Sequence, residues 1–314
     1  KVTVVTGIGT QGQGHYTSYA QIVAEQIGVA VENIEVVTGD TDLFYWGAGT
    51  FASRGAVVAG NAINEAAKDV RRKILKLASE LLEADEVDLE LVDGEVRVKG
   101  VPESAMKLGD LANKANPMRG AVKPGTEPGL EATNYFGPER GATAFGAHAC
   151  IVEVDRETLD VKVLKYVVVH DCGPVINPLI LDGQVHGGVA QGLGNAFFEQ
   201  LHYDESGQLL NASLMDFLLP TALDVPRMEI GHEVTPSPLN PMGVKGAGEA
   251  GAIPVGALFA QAVEDALGEK GRKGEKEKGR KGDWEIGSAV SNRLEIREIP
   301  LSPGRLWELV EGNL

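Results

Sequence analysis

Residues 240–253 read NPMGVKGAGEAGAI, and this run limits the fold more than any other stretch. One carboxylate, Glu249, stands among Gly243, Gly246, Gly248 and Gly251, with Ala247, Ala250 and Ala252 between them. Lys245 is the only other charge, and the apolar spacing from Ile253 to Leu267 predicts a helix directly afterwards. Glycine at this density lets backbone come very close to a ligand or take positive φ. A lone acid carried on such a loop is placed as a general base would be. The plainer alternative is a helix N-terminus at which Glu249 favours the helix dipole.

The rest of the chain repeats the theme. There are forty glycines in 314 residues, and they gather in clusters rather than spreading evenly. Strand Val2–Thr6 runs into GIGTQGQGH, then a helical pattern over residues 16–27 and a second strand at Ile34–Thr38. Gly7, Gly9 and Gly12 spell G-x-G-x-x-G in strand–turn–helix context, which offers backbone N–H groups to a pyrophosphate. Gln11, Gln13, Gly14 and His15 continue the run beyond what a dinucleotide turn needs, and the amides can donate to phosphate or to a heterocycle edge. Residues 40–54 form a long loop in which Thr50, Ser53 and Arg54 follow Gly47 and Gly49. Hydroxyls, guanidinium and glycine amides make a phosphate cradle; an aromatic loop packed on Phe44, Tyr45, Trp46 and Phe51 is the alternative.

Further along, a helix is expected over residues 56–82, a hairpin over 87–98 about Asp93–Gly94, and a short helix over 107–115. The proline-containing stretch 116–141 marks a subdomain junction. Strands follow at 145–154 and 161–170, then HDCGPVINP. His170, Asp171 and Cys172 are adjacent and cannot readily converge on one ion, so no metal ligand is assigned. The helical stretch 179–200 carries five glycines, Gly183, Gly187, Gly188, Gly192 and Gly194, each worth about 1 kcal/mol against alanine in a helix. Such a helix is tolerated where something packs on its backbone, and Gln184, His186 and Gln191 are the polar groups it offers. A hairpin is expected at 203–210, a strand at 228–234 and strand-like chain at 284–300. A short closing helix is expected at 305–310. Residues 269–283 contain EKGRKG twice, with a local excess of three positive charges, and read as a solvated mobile insert.

Composition excludes several classes. The net charge of −16 argues against a nucleic-acid partner. No apolar run reaches the length of a membrane span. Two cysteines, Cys150 and Cys172, with no paired motif suggest a reducing, cytoplasmic setting. Lys1 leads straight into a strand, which suggests one piece of a larger polypeptide or assembly.

Five motifs stand in order: TQGQGHYT at 10–17, GTFASR at 49–54, DCGPVINP at 171–178, GQVHGGVAQGLG at 183–194 and SPLNPMGVKGAGEAG at 237–251. Together they resemble the molybdenum hydroxylases, the family of xanthine dehydrogenase, aldehyde oxidoreductase and aerobic carbon monoxide dehydrogenase. The likeness is to the C-terminal half of the large, molybdopterin-binding subunit, and the 269–283 insert departs from it. The resemblance implies that Glu249 is the active-site glutamate beside molybdenum. It implies that Gln11, Gly12, Gln13, Gly14, His15, Thr50, Ser53, Arg54, Gln191 and Lys245 hold the cofactor. That cofactor would be molybdopterin in its cytosine dinucleotide form, with molybdenum held by the pterin rather than by protein. An N-terminal half of the large subunit, an iron–sulfur subunit and an FAD subunit are the implied partners.

The expected fold is α+β, with two mixed subdomains, residues 1–120 and 121–314, and glycine-rich cofactor loops between them. The expected reaction is oxidation of an aldehyde, carbon monoxide or heteroaromatic carbon with water as the oxygen source. Two other readings remain open at this point: a non-catalytic nucleotide-cofactor binding module, and an NAD-dependent dehydrogenase resting on Gly7–Gly12.

Overall fold

The computed structural model describes residues 1–47, 49–119, 127–268 and 294–311. It is a mixed α+β protein whose chain divides into two compact units, each drawn from separate stretches. Unit 1 takes Lys1–Ala144, Asp171–Leu181 and Val234–Ala247. Unit 2 takes Phe145–His170, Asp182–Glu233 and the chain from Gly248 onward. The junction expected at 120/121 falls on residues outside the described set, and the described chain from 127 to Ala144 groups with unit 1.

In unit 1, β1 (Val2–Thr6) pairs in parallel with β2 (Ile34–Thr38), Val2 opposite Ile34 and Thr6 opposite Thr38. Between them runs α1 (His15–Ile27), whose Tyr19, Ile22, Val23 and Ile27 form the buried stripe foreseen from their spacing. Gly28 ends the helix in the left-handed region at φ 71, its N–H donating to the Ala24 carbonyl. Among the described residues of unit 1, the β-α-β unit has one parallel pair, which is not the open sheet of alternating strands on which a nicotinamide dinucleotide fold is built. The glycine fingerprint at residues 7–12 therefore does not carry the dehydrogenase reading.

The helix expected at 56–82 divides. Ala56–Gly60 winds as a π-helical turn, and α2 (Asn61–Leu82) continues as regular helix. Sheet β3 (Leu89–Val92), β4 (Glu95–Val98) and β5 (Val101–Lys107) is a meander; Asp93 and Gly94, at φ 52 and 77, make the tight turn of its first hairpin. The third strand escaped the sequence reading, because Pro102, Glu103 and Ser104 hide its periodicity. Helix α3 (Leu108–Lys114) follows and buries Leu111. The unit's core joins Tyr19, Ile22, Ile27, Ile63, Ile74, Leu89, Val96 and Leu111.

Unit 2 is built on the sheet β6 (Phe145–Val154), β7 (Val161–Asp171) and β8 (Met228–Glu233). Helix α5 (Val255–Leu267) packs against β6 with Val255, Phe259 and Val263 fully buried on one stripe. The Phe259 ring lies 5.8 Å from Tyr166 and 4.8 Å from Phe197, centroid to centroid. Helix α4 (Pro178–Phe197) contributes Val185, Val189 and Leu193 to the same core, and α6 (Pro303–Glu311) contributes Leu306. The hairpin expected at 203–210 reduces to one bridge, Tyr203 to Leu209. Residues 294–300 form no strand; the remainder of the expected strand at 284–300 and the insert at 269–283 lie outside the described residues.

Candidate active site: a glutamate turn on a glycine-lined helix

The glycines of α4 explain the turn that carries Glu249. A Cβ on Gly188 would lie 2.8 Å from the Gly251 Cα and 2.9 Å from the Ala252 nitrogen. A Cβ on Gly251 would overlap the Val185 carbonyl. Farther along the helix, a Cβ on Gly192 would meet the Val255 side chain at 2.6 Å. Backbone lies on backbone here, and no side chain can come between. The turn is closed by its own hydrogen bonds, from the Ala252 and Ile253 N–H groups to the Glu249 carbonyl, 3.0 and 3.2 Å.

Glu249 is exposed, and it lines a cleft of about 690 Å3 along α4. The other walls are Gln184, Gln191 and Asn195, the backbone of Gly187, Gly188 and Gly192, and Glu199. Three primary amides and open glycine backbone can present donors and acceptors to the edge of a polar ring. Nothing approaches the Cβ position of Gly187 within 4 Å, so that part of the helix surface is open.

His148 was missed by the sequence reading. On β6, its Nδ1 sits 2.9 Å from the Tyr166 hydroxyl, the two rings edge to face, and it also hydrogen-bonds the backbone at Ala250. Burial pushes its pKa down, and the Ala250 bond opposes that shift. The imidazole thus ties the residue after Glu249 to the sheet. No motif signals it; only the pairing of β6 with the turn does.

In unit 1, Gly12 and Gly14 take φ 97 and 82, and Gly14 caps α1. Gln13 Oε1 accepts from the Thr10 hydroxyl at 3.1 Å and from the Gln11 N–H at 2.5 Å, which folds the turn on itself. Gln11 is exposed. His15 faces inward: it is buried, stacks on Tyr19 at 4.6 Å, and places Nδ1 3.2 Å from the Tyr19 hydroxyl. Burial lowers its pKa, so the ring is held neutral behind the turn.

The Thr50–Arg54 loop contains two successive non-glycine residues in the left-handed region, Ala52 at φ 48 and Ser53 at φ 54. Such strain collects at functional loops. Gly246 lies close over it: a Cβ there would be 2.8 Å from the Ser53 Cβ. The Arg54 guanidinium rests 5.1 Å from the centre of the Phe51 ring. Thr50 Oγ1 is buried and has no hydrogen-bond partner among the described residues.

Lys245 is buried. Its side chain is 4% exposed, with Nζ 3.1 Å from Asp171 Oδ1 and 2.8 Å from Thr235 Oγ1. Burial alone would raise the Asp171 pKa. The Thr235 hydroxyl, the Gly173 and Thr235 N–H groups and Lys245 more than reverse this and hold it far below the ordinary carboxylate range. Among the described residues, no three His, Cys, Asp or Glu side chains are grouped as a metal site. No described helix is long and apolar enough to cross a membrane.

Unit 2 thus carries a glycine-packed glutamate beside an amide-lined cleft, and unit 1 carries a strained hydroxyl loop and a capped glycine turn. Residues 1–226 match the family model of the molybdopterin cofactor-binding domain, and the chain belongs to that family, the family of the molybdenum hydroxylases. It is 41% identical over 269 residues to the carbon monoxide dehydrogenase large chain of Afipia carboxidovorans, covering 84% of this chain and 32% of that one. It is 43% identical over 266 residues to the nicotine 6-hydroxylase large subunit of Paenarthrobacter nicotinovorans, covering 85% and 33%. The crystal structure of quinoline 2-oxidoreductase from Pseudomonas putida 86 superposes with a TM-score of 0.82 at 38% identity, covering 98% of this chain and 36% of that one. The chain thus spans about a third of the length of these relatives.

Proposed function

We propose that this chain is the C-terminal part of the molybdopterin-binding large subunit of a molybdenum hydroxylase. It would oxidise a carbonyl or heteroaromatic carbon with water as the source of oxygen. The observation that carries this reading is Glu249, held by a backbone-on-backbone turn at an amide-lined cleft. The relatives named for carbon monoxide, nicotine and quinoline support the reaction class and leave the substrate open among aldehydes, carbon monoxide and nitrogen heterocycles.

When bound, the molybdenum cofactor supplies a two-electron acceptor at the cleft. The protein's part is to bind, orient and move a proton. Glu249 takes the proton from the water-derived oxygen nucleophile onto its carboxylate, a contribution of at least about 10²-fold. Its rigid turn limits the motion of the base, because the reacting geometry tolerates little displacement. Gln184, Gln191 and Asn195 offer hydrogen bonds to a ring edge.

Taken by itself, unit 1 carries residues that fit the organic part of a pterin dinucleotide. Among the described residues the buried Thr50 hydroxyl lacks a partner, which a ligand acceptor would supply. Gly12 presents backbone with no atom over its Cβ position. Gln11, Gln13, Gly14, Ser53 and Arg54 complete the phosphate-binding set, in the cytosine dinucleotide form we assign. His15 and Lys245 support these loops from behind. FAD and iron–sulfur clusters belong to partner subunits, and the rest of the large subunit completes the enzyme. Met215 and Leu223, 89% and 97% exposed, fit coverage by such a partner.

The test is composition of the complex purified with its partner polypeptides. Molybdenum near one atom per chain and release of cytidine monophosphate on mild acid treatment are expected. Absence of molybdenum and pterin, with a nicotinamide dinucleotide bound instead, would overturn the reading.

A further inference from the structure

Asn61 and Asn240, two buried amides of unit 1, are bonded to each other, Nδ2 of the first donating to Oδ1 of the second at 3.1 Å. Asn61 is fully buried, and it stands where the π-helical turn Ala56–Gly60 gives way to α2. Its backbone N–H donates to the Val58 carbonyl. Its Nδ2 takes the Val57 carbonyl at 2.8 Å, the one that a regular helix would pair with that N–H. Its Oδ1 accepts the Met242 N–H at 3.0 Å. Asn240 in turn holds both sides of Val244: Nδ2 donates to the carbonyl at 2.9 Å, and Oδ1 accepts from the N–H at 3.1 Å. A leucine at 61 would bury the Val57 carbonyl and the Met242 N–H without these partners.

The stretch that the two amides hold, residues 240–244, runs straight on to Gly246, whose backbone covers the hydroxyl loop. A Cβ on Gly246 would lie 2.8 Å from the Ser53 Cβ, 3.0 Å from the Ser53 carbonyl oxygen and 3.3 Å from that of Ala52. The covered residues are the two successive non-glycines in the left-handed region. Such backbone persists only where its surroundings over-determine it. Asn61 fixes those surroundings from both sides. Val57 belongs to the turn that leaves the loop after Arg54, and Met242 belongs to the chain that goes on to lie over it.

We infer that Asn61, braced by Asn240, is a positioning residue for the cofactor: it holds the Thr50–Arg54 loop in its binding shape before the cofactor arrives. This rests on the reading of that loop as a cofactor loop. Asn61 itself makes no contact with the cofactor and acts through Thr50 and Ser53. Without the clamp the loop relaxes out of the left-handed region and must be reordered each time the cofactor binds. That shows as faster release and weaker retention.

The experiment uses the assembled, molybdenum-loaded complex. Retained molybdenum and acid-released cytidine monophosphate are followed over time in cofactor-free buffer for wild type, Asn61→Leu, Asn240→Ala and Ile74→Ala. Ile74 is a buried core residue about 20 Å farther along α2, so its truncation lowers the melting temperature without touching the clamp. Asn61→Leu should release cofactor at least about tenfold faster than wild type, and Ile74→Ala should stay within about twofold. In hydrogen exchange, peptides spanning 50–58 and 240–247 should exchange at least about tenfold faster in Asn61→Leu, with those of β3 and β4 unchanged. On a Thr50→Val background, Asn61→Leu should add less than about threefold, because both act through one loop. Unchanged release in folded, loaded Asn61→Leu overturns the inference. So does equal acceleration in Ile74→Ala at the same loss of melting temperature, or an undiminished effect on the Thr50→Val background. If Asn61→Leu does not assemble, Asn240→Ala and wild-type exchange decide: slow exchange at 240–247 supports the clamp, and exchange as fast as exposed chain overturns it. A wild-type complex with no molybdenum and no cytidine monophosphate sinks the cofactor reading and this inference with it. A loaded wild type with unchanged release in Asn61→Leu sinks this inference alone.

Discussion

Lys245 Nζ lies 3.1 Å from Asp171 Oδ1, and both side chains are buried. The pair closes a small network in which Thr235 Oγ1 bonds both partners and the Lys245 N–H donates to the Cys172 carbonyl at 2.7 Å. Two separated stretches of unit 1, Asp171–Leu181 and Val234–Ala247, are tied at one point. Removing one partner leaves a buried charge without its counterion, so Asp171→Asn or Lys245→Met should destabilise by about 3–5 kcal/mol. Denaturant melts of the assembled complex check this; a loss below about 1 kcal/mol in both variants would show that the pair is dispensable.

The same pair gives a pH signature. The Asp171 pKa is depressed on folding, so its stabilisation is present above the ordinary carboxylate range, near 4, and is lost as pH falls through that range towards the folded value. His15 and His148, lowered by burial, act higher up: their contribution is full above about pH 6.5 and declines as pH falls below it. Melting temperature should therefore begin to drop below about pH 6.5 and drop again below about pH 4. In Asp171→Asn the lower limb should flatten. An unchanged lower limb in that variant would remove Asp171 as its cause.

Thr50→Val should have opposite effects on the empty and loaded states. It replaces a buried hydroxyl that has no partner among the described residues, so the cofactor-free protein should be as stable as wild type or slightly more so. Molybdenum retention through gel filtration should fall, because the ligand loses a donor. Equal retention in the variant would mean that the hydroxyl does not face the cofactor.

Gly188→Ala puts a Cβ 2.8 Å from the Gly251 backbone, which cannot give way as a flexible side chain would. A stability loss of about 1–3 kcal/mol is expected, together with lower kcat as the Glu249 turn is pushed from α4. Gly187→Ala, with nothing near its Cβ position, should keep stability. Equal stability losses in the two variants would refute the close-packing explanation.

The contrast between these two glycines shows what the sequence could disclose. The glycines of one predicted helix pointed to something packed on its backbone, and the turn at Gly251 is what packs on Gly188, whereas no described atom lies near the Cβ positions of Gly183 and Gly187. The sequence also marked Glu249, the α1 turn and the hydroxyl loop, because their residues are contiguous. His148, Glu199 and the Asp171–Lys245 pair were not legible as parts of a site. Each depends on chain returning from a distant strand or helix, and local spacing carries no record of that. The burial of His15 and Lys245 was not legible for the same reason: a motif shows which side chains are near, not which way they turn. The π-helical turn at Ala56–Gly60 and the Pro102-containing β5 likewise follow tertiary pairing against local pattern.

The most direct measurement is single-turnover reduction of the molybdenum-loaded complex carrying Glu249→Gln. The substitution keeps the shape of the side chain and removes its basicity. With molybdenum content and melting temperature equal to wild type, the reduction rate should fall by at least about 10²-fold. A loaded, folded Glu249→Gln complex that keeps more than a few per cent of the wild-type rate would contradict the assignment of Glu249 as the base.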